Sequence, residues 1–191
     1  MVMTSSSKLV DFIKVYNLVS SSHCKNLIEI IDSLSWYDHE WGDYNKVNPS
    51  LSPETEFQRA SSNMISDLIL RPTITKAIDM YIQQNSSETL YLQYQNHSKI
   101  SFNRYKEGTK MLNHIDHIYS IFDGQIKGIP MLSVVGLLNT DFEGGEFKFW
   151  NEFKPNLTQG DILIFPSNFM FEHNVEMVTK GTRYSFVTWV Y

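Results

Sequence analysis

Two stretches in the first half of the chain carry apolar residues at the spacing of a helix. Within 27–34, and again within 63–84, apolar side chains recur every three or four positions, so each stretch would present one apolar face. Three serines, Ser20, Ser21 and Ser22, are candidate N-caps for the first helix. Pro72 lies inside the second helix, and because proline removes a helical hydrogen bond, this helix is predicted to break or kink there.

The residues around these helices follow a different pattern. A short strand is predicted at 12–16, and the polar stretch 37–57 is predicted to be a long surface loop at the rim of a site. Four aromatic residues cluster near this loop: Trp36, Tyr37, Trp41 and Tyr44. They are interpreted either as a wall for a peptide or, more simply, as packing between helix and sheet.

From residue 89 onward the hydrophobic period changes to two, which is typical of strands. Apolar and polar residues alternate through 89–94 and 100–104. Further strands are predicted between turn residues at 110–116, 131–138, 145–150, 161–165, 170–176 and 182–191. Helices followed by many short strands indicate an α+β protein, with the helices packed on one face of a sandwich or barrel.

The composition narrows the class of protein. With 191 residues, 42% of them hydrophobic, the chain suits one domain over 1–191, with mostly helical support in 8–88, a strand-rich core in 89–191 and a flexible start at 1–7. The net charge of −5 disfavours a nucleic-acid partner. A single cysteine, Cys24, excludes an internal disulfide. No secretory signal or run of about 18 apolar residues stands out, so a cytoplasmic location without a membrane span is expected.

The strongest chemical signal is a His-x-Asp motif formed by His114 and Asp116. On a strand, residues two apart point to the same side, so these two side chains would project together. They are two thirds of the facial triad that binds non-haem Fe(II) and leaves three coordination positions open. Among the other histidines, His173 lies late in the strand region and is the best third ligand. For the motif alone, a hydrogen-bonded surface pair is the simpler explanation.

Arg183 and Ser185 are a candidate clamp for a carboxylate. They share one face of the predicted last strand, and an inward guanidinium beside a hydroxyl can bind a carboxylate by a forked pair and a further hydrogen bond. The alternative is an arginine that pairs with a core carboxylate or with backbone carbonyls. In both cases a buried arginine needs an acceptor.

Taken in order, these motifs resemble the Fe(II)/2-oxoglutarate-dependent dioxygenases, and among them the prolyl 4-hydroxylase-like branch. The resemblance covers 100–191 well and 12–34 loosely. Besides the ligand and clamp residues, its matching segments are 104–108, 137–147, 160–166 and 181–185, together with Trp189. Residues 144–147 also spell the Gly-Gly-Glu-Phe signature of diguanylate cyclases, but here they are interpreted as a turn in which glycine permits a positive φ.

The resemblance implies a double-stranded β-helix, or jelly roll, with supporting N-terminal helices. It also implies Fe(II) held by three residues: His114, Asp116 and His173. The further cofactors that it implies are 2-oxoglutarate as cosubstrate, O2 as oxidant and ascorbate as an accompanying reductant. The product of 2-oxoglutarate would be succinate, with release of CO2.

Four residues would surround the cosubstrate if the resemblance holds position by position. Arg183 would bind the far carboxylate of 2-oxoglutarate, and Tyr105 would hydrogen-bond the same group, although a core tyrosine explains Tyr105 equally well. Ser185 and Ser133 would lie near the cosubstrate. The prolyl hydroxylases proper often have lysine where Arg183 stands, which bears on the substrate rather than on cosubstrate binding.

The resemblance implies a proline-containing peptide or protein as the substrate, hydroxylated at the proline. Two alternatives stay open: hydroxylation of a small molecule or free amino acid, and a catalytically silent jelly-roll module that only binds a partner. The loop 37–57 separates the first two, because a groove open at both ends suits a peptide and a closed pocket suits a metabolite.

Overall fold

A computed structural model describes residues 8–39, 56–85, 94, 96–116 and 130–191, and within these residues the chain forms two α-helices and twelve strands. In chain order the elements are a short 3-10 helix (Leu9–Phe12), β1 (Lys14–Asn17), α1 (Ser21–Asp32), β2 (Tyr37–Asp38), β3 (Gln58–Ser61), α2 (Met64–Asn85), β4 (Ser101–Tyr105), β5 (Met111–His114), β6 (Leu132–Leu137), β7 (Glu143–Gly144), β8 (Phe147–Phe149), β9 (Asp161–Pro166), β10 (His173–Val175), β11 (Val178–Lys180) and β12 (Arg183–Val190).

The strands form one large sheet and two small ones. The large antiparallel sheet has the order β1-β9-β6-β12-β4-β3-β2, and the small sheets have the orders β5-β10-β8 and β11-β7. One hydrophobic core joins α1 and α2 to the outer face of the large sheet, and a second core joins its inner face to the small sheets. Every residue of β6 is buried because this strand is covered on both faces. This arrangement confirms the β-rich, layered architecture expected from the sequence.

Local chemistry explains where the first helix begins and which face it buries. The Ser20 hydroxyl accepts a hydrogen bond from the backbone N–H of His23, so Ser20 is the N-cap of α1 among the three candidate serines, and Ser21 and Ser22 lie inside the helix. Cys24, Leu27 and Ile31 lie on its buried face. Burial raises the pKa of the Cys24 thiol to about 11, which fits a small core residue rather than a reactive thiol.

The second helix does not break at Pro72, so of the predicted break or kink the break was wrong. α2 begins with a reciprocal pair, in which Ser66 N–H donates to Asn63 Oδ1 and Asn63 N–H donates to Ser66 Oγ. The helix then continues through Pro72 to Asn85. The carbonyl that proline leaves without its helical partner belongs to Leu68, whose side chain is 73% exposed, so water can bond that carbonyl.

Several predicted strands are shorter than expected or begin elsewhere. Within the predicted strand 12–16 the chain is still in the 3-10 helix at Phe12, and β1 begins at Lys14. Of the predicted strand 145–150, only 147–149 forms a strand, β8. Gly144 and Gly145 both have the positive φ that glycine permits, but Gly144 ends β7 and is therefore part of a strand. The strand 170–176 is reduced to the three residues of β10, since the residues before it form a turn.

Other expectations fall partly or wholly outside the described residues. These are the flexible start at 1–7, most of the loop 37–57, and most of the strand 89–94. The described ends of that loop are not irregular, because β2 and β3 pair at the edge of the large sheet. In the described part of the chain, neither helix is long and apolar enough to cross a bilayer.

Candidate active site

His114, Asp116 and His173 come together at the small sheet. β5 and β10 pair so that His173 lies directly opposite His114, and the two ring centroids are 4.2 Å apart. His114 Nε2 lies 3.5 Å from Asp116 Oδ1, and His173 Nε2 lies 3.8 Å from Asp116 Oδ2. One ligand atom from each residue lies within 4.8 Å of the others. Two imidazole nitrogens and one carboxylate oxygen are the donor set of a facial triad, so these residues can hold Fe(II).

Asp116 reaches this cluster from a position different from the one predicted. β5 ends at His114, so Asp116 lies two residues beyond the strand rather than on it. Strand alternation along β5 therefore does not account for the approach of the two side chains. The histidine opposite, His173, is the first residue of β10.

Both imidazole rings are oriented by backbone carbonyls. The Nδ1 atom of His114 lies 2.8 Å from the carbonyl oxygen of Leu112, and Nδ1 of His173 lies 2.9 Å from that of Phe171. Because a carbonyl can only accept, Nδ1 carries the proton in both rings. In this tautomer the Nε2 atom of each ring points its lone pair toward Asp116, which is the arrangement needed to bind a metal.

The charge states of the cluster also suit a metal. Burial alone would raise the pKa of Asp116, but the neighbouring His173 and His114, together with a hydrogen bond from Ser133, hold it well below its usual range. Burial lowers the pKa of His173 to about 4, against the opposing effect of Asp116. At neutral pH the site thus combines an ionised carboxylate with a neutral imidazole, and no proton has to leave His173 before a cation binds.

Ser133 lies at the metal-binding end of the site. Its hydroxyl donates to Asp116 Oδ2 over 2.5 Å and lies 2.6 Å from the hydroxyl of Ser167. On the large sheet it stands opposite Trp189, six residues along β12 from Arg183. Its direct contact is therefore with the triad, whereas the expected neighbourhood was that of the cosubstrate.

Arg183, Ser185 and Tyr105 form a second polar group on the inner face of the large sheet. Arg183 lies opposite Tyr105 in the pairing of β12 with β4, and its guanidinium lies 5.0 Å from the centroid of the Tyr105 ring. Arg183 Nη1 donates to Ser185 Oγ over 2.9 Å, so the two residues share a face as predicted. All three are 1% exposed. The Tyr105 hydroxyl lies 4.0 Å from the sulfur of Met111, on the strand that ends at His114.

Arg183 has no carboxylate partner among the described residues. Its hydrogen bond is to a neutral hydroxyl, and burial lowers its pKa while Tyr105 raises it. A guanidinium nevertheless stays protonated, so the fold keeps a positive charge in its interior. Such a charge is costly unless an anion joins it. The donor set therefore fits a dicarboxylate that binds a metal at one end and Arg183 at the other.

Sequence reasoning missed the aromatic residues that stack on these groups. Phe147 stacks on His173, with ring centroids 5.1 Å apart and an interplanar angle of 13°. Phe57 stacks on Tyr105 at 4.8 Å and 20°. The only signal for Phe147 was its alternation with polar neighbours after the glycine turn, and Phe57 lay in a segment predicted to be a loop.

The β2–β3 edge of the large sheet brings His39 and Arg59 near the triad. His39 stacks on Phe57 at 4.5 Å, and burial, followed by Arg59 and His114, lowers the pKa of His39 to about 4. Arg59 donates to Ser101 Oγ over 3.1 Å. Burial lowers the pKa of Arg59, whereas Tyr105 and Asp116 raise it, which places Arg59 within electrostatic reach of both polar groups.

Comparison with known proteins agrees with this site. Residues 100–191 match the family model of the 2OG-Fe(II) oxygenase superfamily. The chain is 33% identical over 112 residues to a PKHD-type hydroxylase of Idiomarina loihiensis, which covers 57% of this chain and 49% of that protein. It is also 33% identical over 96 residues to a PKHD-type hydroxylase of Delftia acidovorans, covering 47% and 42%. The chain thus spans less than half the length of these relatives.

Solved structures share the fold at low sequence identity. A viral collagen prolyl hydroxylase from Paramecium Bursaria Chlorella virus-1 aligns with a TM-score of 0.67 and 16% identity over 94% of both chains. A Trichoplax adhaerens prolyl hydroxylase, solved with a hypoxia inducible factor peptide fragment, aligns with a TM-score of 0.68 and 16% identity, covering 94% of this chain and 83% of that one. The fold is therefore the jelly roll of these solved structures. The match of residues 100–191 to the family model makes this strand-rich half of the chain similar to the 2OG-Fe(II) oxygenase superfamily.

Proposed function

We propose that this protein is an Fe(II)- and 2-oxoglutarate-dependent hydroxylase of the prolyl 4-hydroxylase-like type. One observation carries the proposal: Arg183 is buried without a carboxylate partner in the described residues, on the sheet that faces a His-Asp-His cluster. A structural arginine would have its anion within the fold. An arginine that binds a diacid has no anionic partner until the diacid is bound.

In this proposal His114, Asp116 and His173 hold Fe(II). The backbone carbonyls at Leu112 and Phe171 fix the rings, so the ligand atoms are in place before the metal arrives. Prearranged ligands lower the entropy that has to be lost when the metal binds. Three protein ligands leave three of the six coordination positions for the other reactants.

Arg183, Ser185 and Tyr105 bind the far carboxylate of 2-oxoglutarate. The guanidinium neutralises the carboxylate, and the hydroxyls of Ser185 and Tyr105 are placed to donate further hydrogen bonds. The planar ring of Tyr105, held between Arg183 and Phe57, keeps the guanidinium from rotating away. The cosubstrate is thereby held in one orientation toward the triad, which is the main contribution of a protein to such a reaction.

Aromatic side chains keep water from this interior. Phe147, Phe149 and Phe165 lie within contact distance of the His173 ring and are 5% exposed or less. When bound, Fe(II), 2-oxoglutarate and O2 supply the oxidative chemistry that places a hydroxyl on the substrate and releases succinate and CO2, with ascorbate as an accompanying reductant. A dry pocket limits side reactions of this chemistry.

We propose a proline-containing peptide or protein as the substrate. The shared fold with a prolyl hydroxylase solved with a peptide fragment supports this class. The described edge of the site also supports it, because Tyr37 on β2 is 68% exposed beside Arg59, as a surface that contacts an extended chain requires. A small molecule or free amino acid is the competing class.

We also propose that the described residues act as one domain. Residues of both helices and of β1, β4, β6, β9 and β12 share a single core, which supports this view. The helices then support the large sheet from outside and keep its inner face in a fixed position relative to the triad. A cytoplasmic location stays a prediction.

The proposal is tested by spectroscopy followed by turnover. Fe(II) and then 2-oxoglutarate are added to the purified protein without oxygen, and chelation should give a weak visible charge-transfer band that is absent in Asp116→Ala. Oxygen is then admitted with proline-containing peptides, free proline or no substrate, and succinate and hydroxylated product are measured.

Each result has a separate meaning. A band together with peptide-stimulated succinate formation supports the proposal, and stimulation by free proline alone moves the substrate to the metabolite class. If a band forms but no product appears with any substrate offered, the protein binds its cofactors without turnover on these classes. If the folded protein binds iron but gives no band, the hydroxylase proposal fails and a catalytically silent binding module is the remaining function.

A further inference from the structure

The two histidines of the candidate metal site are oriented by carbonyls that have different supports. Nδ1 of His114 lies 2.8 Å from the carbonyl oxygen of Leu112, and both residues belong to β5. Nδ1 of His173 lies 2.9 Å from the carbonyl oxygen of Phe171, but β10 begins only at His173. The strand therefore holds the Leu112 carbonyl in place, whereas another contact has to hold the Phe171 carbonyl.

Trp150, the residue that follows β8, anchors the chain on both sides of the Phe171 carbonyl. Its indole N–H donates to the Met170 carbonyl over 2.7 Å, and its backbone N–H donates to the Glu172 carbonyl over 3.1 Å. The peptide group that contains the Phe171 carbonyl lies between these two anchored peptide groups. Because each peptide group is planar, anchoring both neighbours restricts the rotation of the group between them.

Aromatic packing joins Trp150 to the same part of the site. The centroid of its ring lies 6.0 Å from that of Phe171 and 5.5 Å from that of Phe149. Phe149 stands directly opposite His173 in the pairing of β8 with β10. The indole is therefore packed against the residue that orients the His173 ring and against the strand partner of His173.

The backbone of Trp150 is strained. Its φ is +55°, followed by +59° at Asn151, and among the described residues these are the two non-glycine positions with positive φ. Asparagine enters this region readily, and glycine adopts it without strain, but a bulky side chain rarely does. Strain of this kind persists where surrounding contacts require the conformation, and it is concentrated at functional sites. The contacts that require it here are those that Trp150 makes with 170–172.

We propose that Trp150 is a positioning residue that orients His173 for metal binding by holding the Phe171 carbonyl between two hydrogen bonds. This inference rests on the proposed function, since it concerns a ligand of the same Fe(II) site. Trp150 acts through the backbone of 170–172. Without the indole hydrogen bond, the Phe171 carbonyl is anchored on one side only, and the imidazole of His173 is oriented less precisely.

The first experiment measures the binding of Co(II) to the metal-free protein. Trp150→Phe keeps an aromatic ring but has no N–H to donate to Met170. Loss of a group that orients a metal ligand weakens binding by about tenfold or more, so the Kd for Co(II) should rise by about tenfold. Trp150→Gly also lacks the indole but adopts the positive φ freely, and it should show the same loss. This second variant separates the hydrogen bond from the shape of the turn, and it tests the proposal even if Trp150→Phe does not fold.

Trp36→Phe is the matched control. The indole N–H of Trp36 also donates to a backbone carbonyl, that of Ile31 over 3.1 Å, but this bond lies at the end of α1 on the outer side of the large sheet. The variant should leave the Kd for Co(II) unchanged. Melting temperatures of the metal-free variants compare the effects on stability. An equal loss of affinity in Trp36→Phe would indicate a general loosening of the fold and would overturn the positioning role.

Proton NMR of the Co(II)-loaded protein reports on each histidine of the site separately. Because Nδ1 carries the proton in both rings, the metal should displace two exchangeable N–H signals from the normal spectral range. The signal of His173 is assigned by its Overhauser contact with the stacked ring of Phe147. In Trp150→Phe this signal should exchange faster with water, because its acceptor is less firmly held, while the other signal should behave as in the parent.

The outcomes separate this inference from the proposed function. An equal Kd and equal exchange of both signals in the parent, Trp150→Phe and Trp150→Gly would overturn the positioning role and leave the proposed function intact. A parent protein that binds no Co(II) would overturn both.

Discussion

At the scale of single residues, Arg183 has the most specific expected behaviour. Its positive charge is buried beside a neutral hydroxyl, with no carboxylate partner in the described part of the chain. Arg183→Met should weaken 2-oxoglutarate binding by about tenfold to 100-fold, the value of one hydrogen-bonded charge interaction. The same change should leave the free energy of unfolding of the ligand-free protein unchanged or higher, because it removes an uncompensated charge. Calorimetric titration and urea denaturation measure the two effects.

Arg104→Met is the control for this prediction. Arg104 lies next to Tyr105 on β4, but it donates to Gln58 Oε1 over 2.7 Å and lies 4.3 Å from the Trp36 ring. Its loss should affect packing and leave cosubstrate affinity unchanged. Loss of stability in Arg183→Met with normal affinity would contradict the ligand-binding role and indicate a structural arginine.

Residues of the candidate site could be predicted from the sequence only where the side chain has a rare chemical property, such as metal binding. His114, Asp116 and His173 stand out because few side chains bind metals, and the structure brings them together. Ser167 could not be predicted as a site residue, because a serine after a strand is common. Its place near the site depends on contact with the Ser133 hydroxyl, which another strand contributes. Contacts between distant segments are determined by tertiary packing, so they cannot be predicted from residue spacing along one strand.

At the scale of elements, the glycine turn before β8 is expected to support the cosubstrate pocket. Gly145 has φ of +65°, and a Cβ there would lie 2.9 Å from Val178 Cγ2 and 3.1 Å from Arg183 Cδ. Gly145→Ala should therefore displace Arg183 and lower both the affinity for 2-oxoglutarate and the stability, the latter by about 2 kcal/mol from backbone strain and crowding together. Affinity is measured by titration and stability by urea denaturation.

Gly108→Ala separates strain from crowding. Gly108 has φ of +82°, but nothing lies within 4 Å of its virtual Cβ. This variant should lose only about 1 kcal/mol of stability, the conformational term, and should bind 2-oxoglutarate normally. An equal loss of affinity in both variants would show that Gly145 has no particular relation to Arg183.

The second helix offers a stabilising substitution. Pro72 lies in an exposed position of α2 and leaves the Leu68 carbonyl without its helical hydrogen bond. Pro72→Ala should restore this bond and raise the free energy of unfolding by about 1–2 kcal/mol, less than the full difference in helix propensity because the unfolded chain also gains freedom. Urea denaturation tests this, and a lower stability would show that the ring contributes to packing.

Helices and strands were predicted with unequal success for a physical reason. The buried faces of α1 and α2 follow from spacing within one segment, so they could be derived locally. The division of the predicted strand 145–150 and the short β10 depend on pairing with distant strands. Pairing across the sheet is decided by tertiary packing, which overrides local propensity.

At the scale of the whole molecule, the metal-free protein should lose stability on acidification. Burial lowers the pKa of His97, and it lowers the pKa of His39 and His173 to about 4. In the unfolded chain a histidine has a pKa of about 6.5. Below that pH these histidines bind protons in the unfolded state but not in the folded state. The free energy of unfolding is therefore highest above about pH 6.5 and decreases toward pH 4. Urea denaturation at a series of pH values measures the loss.

His97→Gln should make this decrease less steep. The groups that act on the His97 ring besides burial are the Ser98 carbonyl and Asp67, which raise its pKa, and Arg71, which lowers it. Exposed His23 on α1 provides the control, since His23→Gln should keep the slope of the parent. A stability that is flat between pH 7 and pH 5 would contradict the prediction.

If Arg183 binds the dicarboxylate as proposed, the stability of the folded protein depends on the supply of this metabolite. A ligand that binds only the folded state adds about 2.7 kcal/mol of stability when it is present at a hundredfold excess over its Kd. A cell poor in the dicarboxylate would therefore hold more of this protein in unfolded form, open to proteases, and a rich one would protect it. The abundance of the protein in the cell, and not only its catalytic rate, would then depend on the supply of the dicarboxylate.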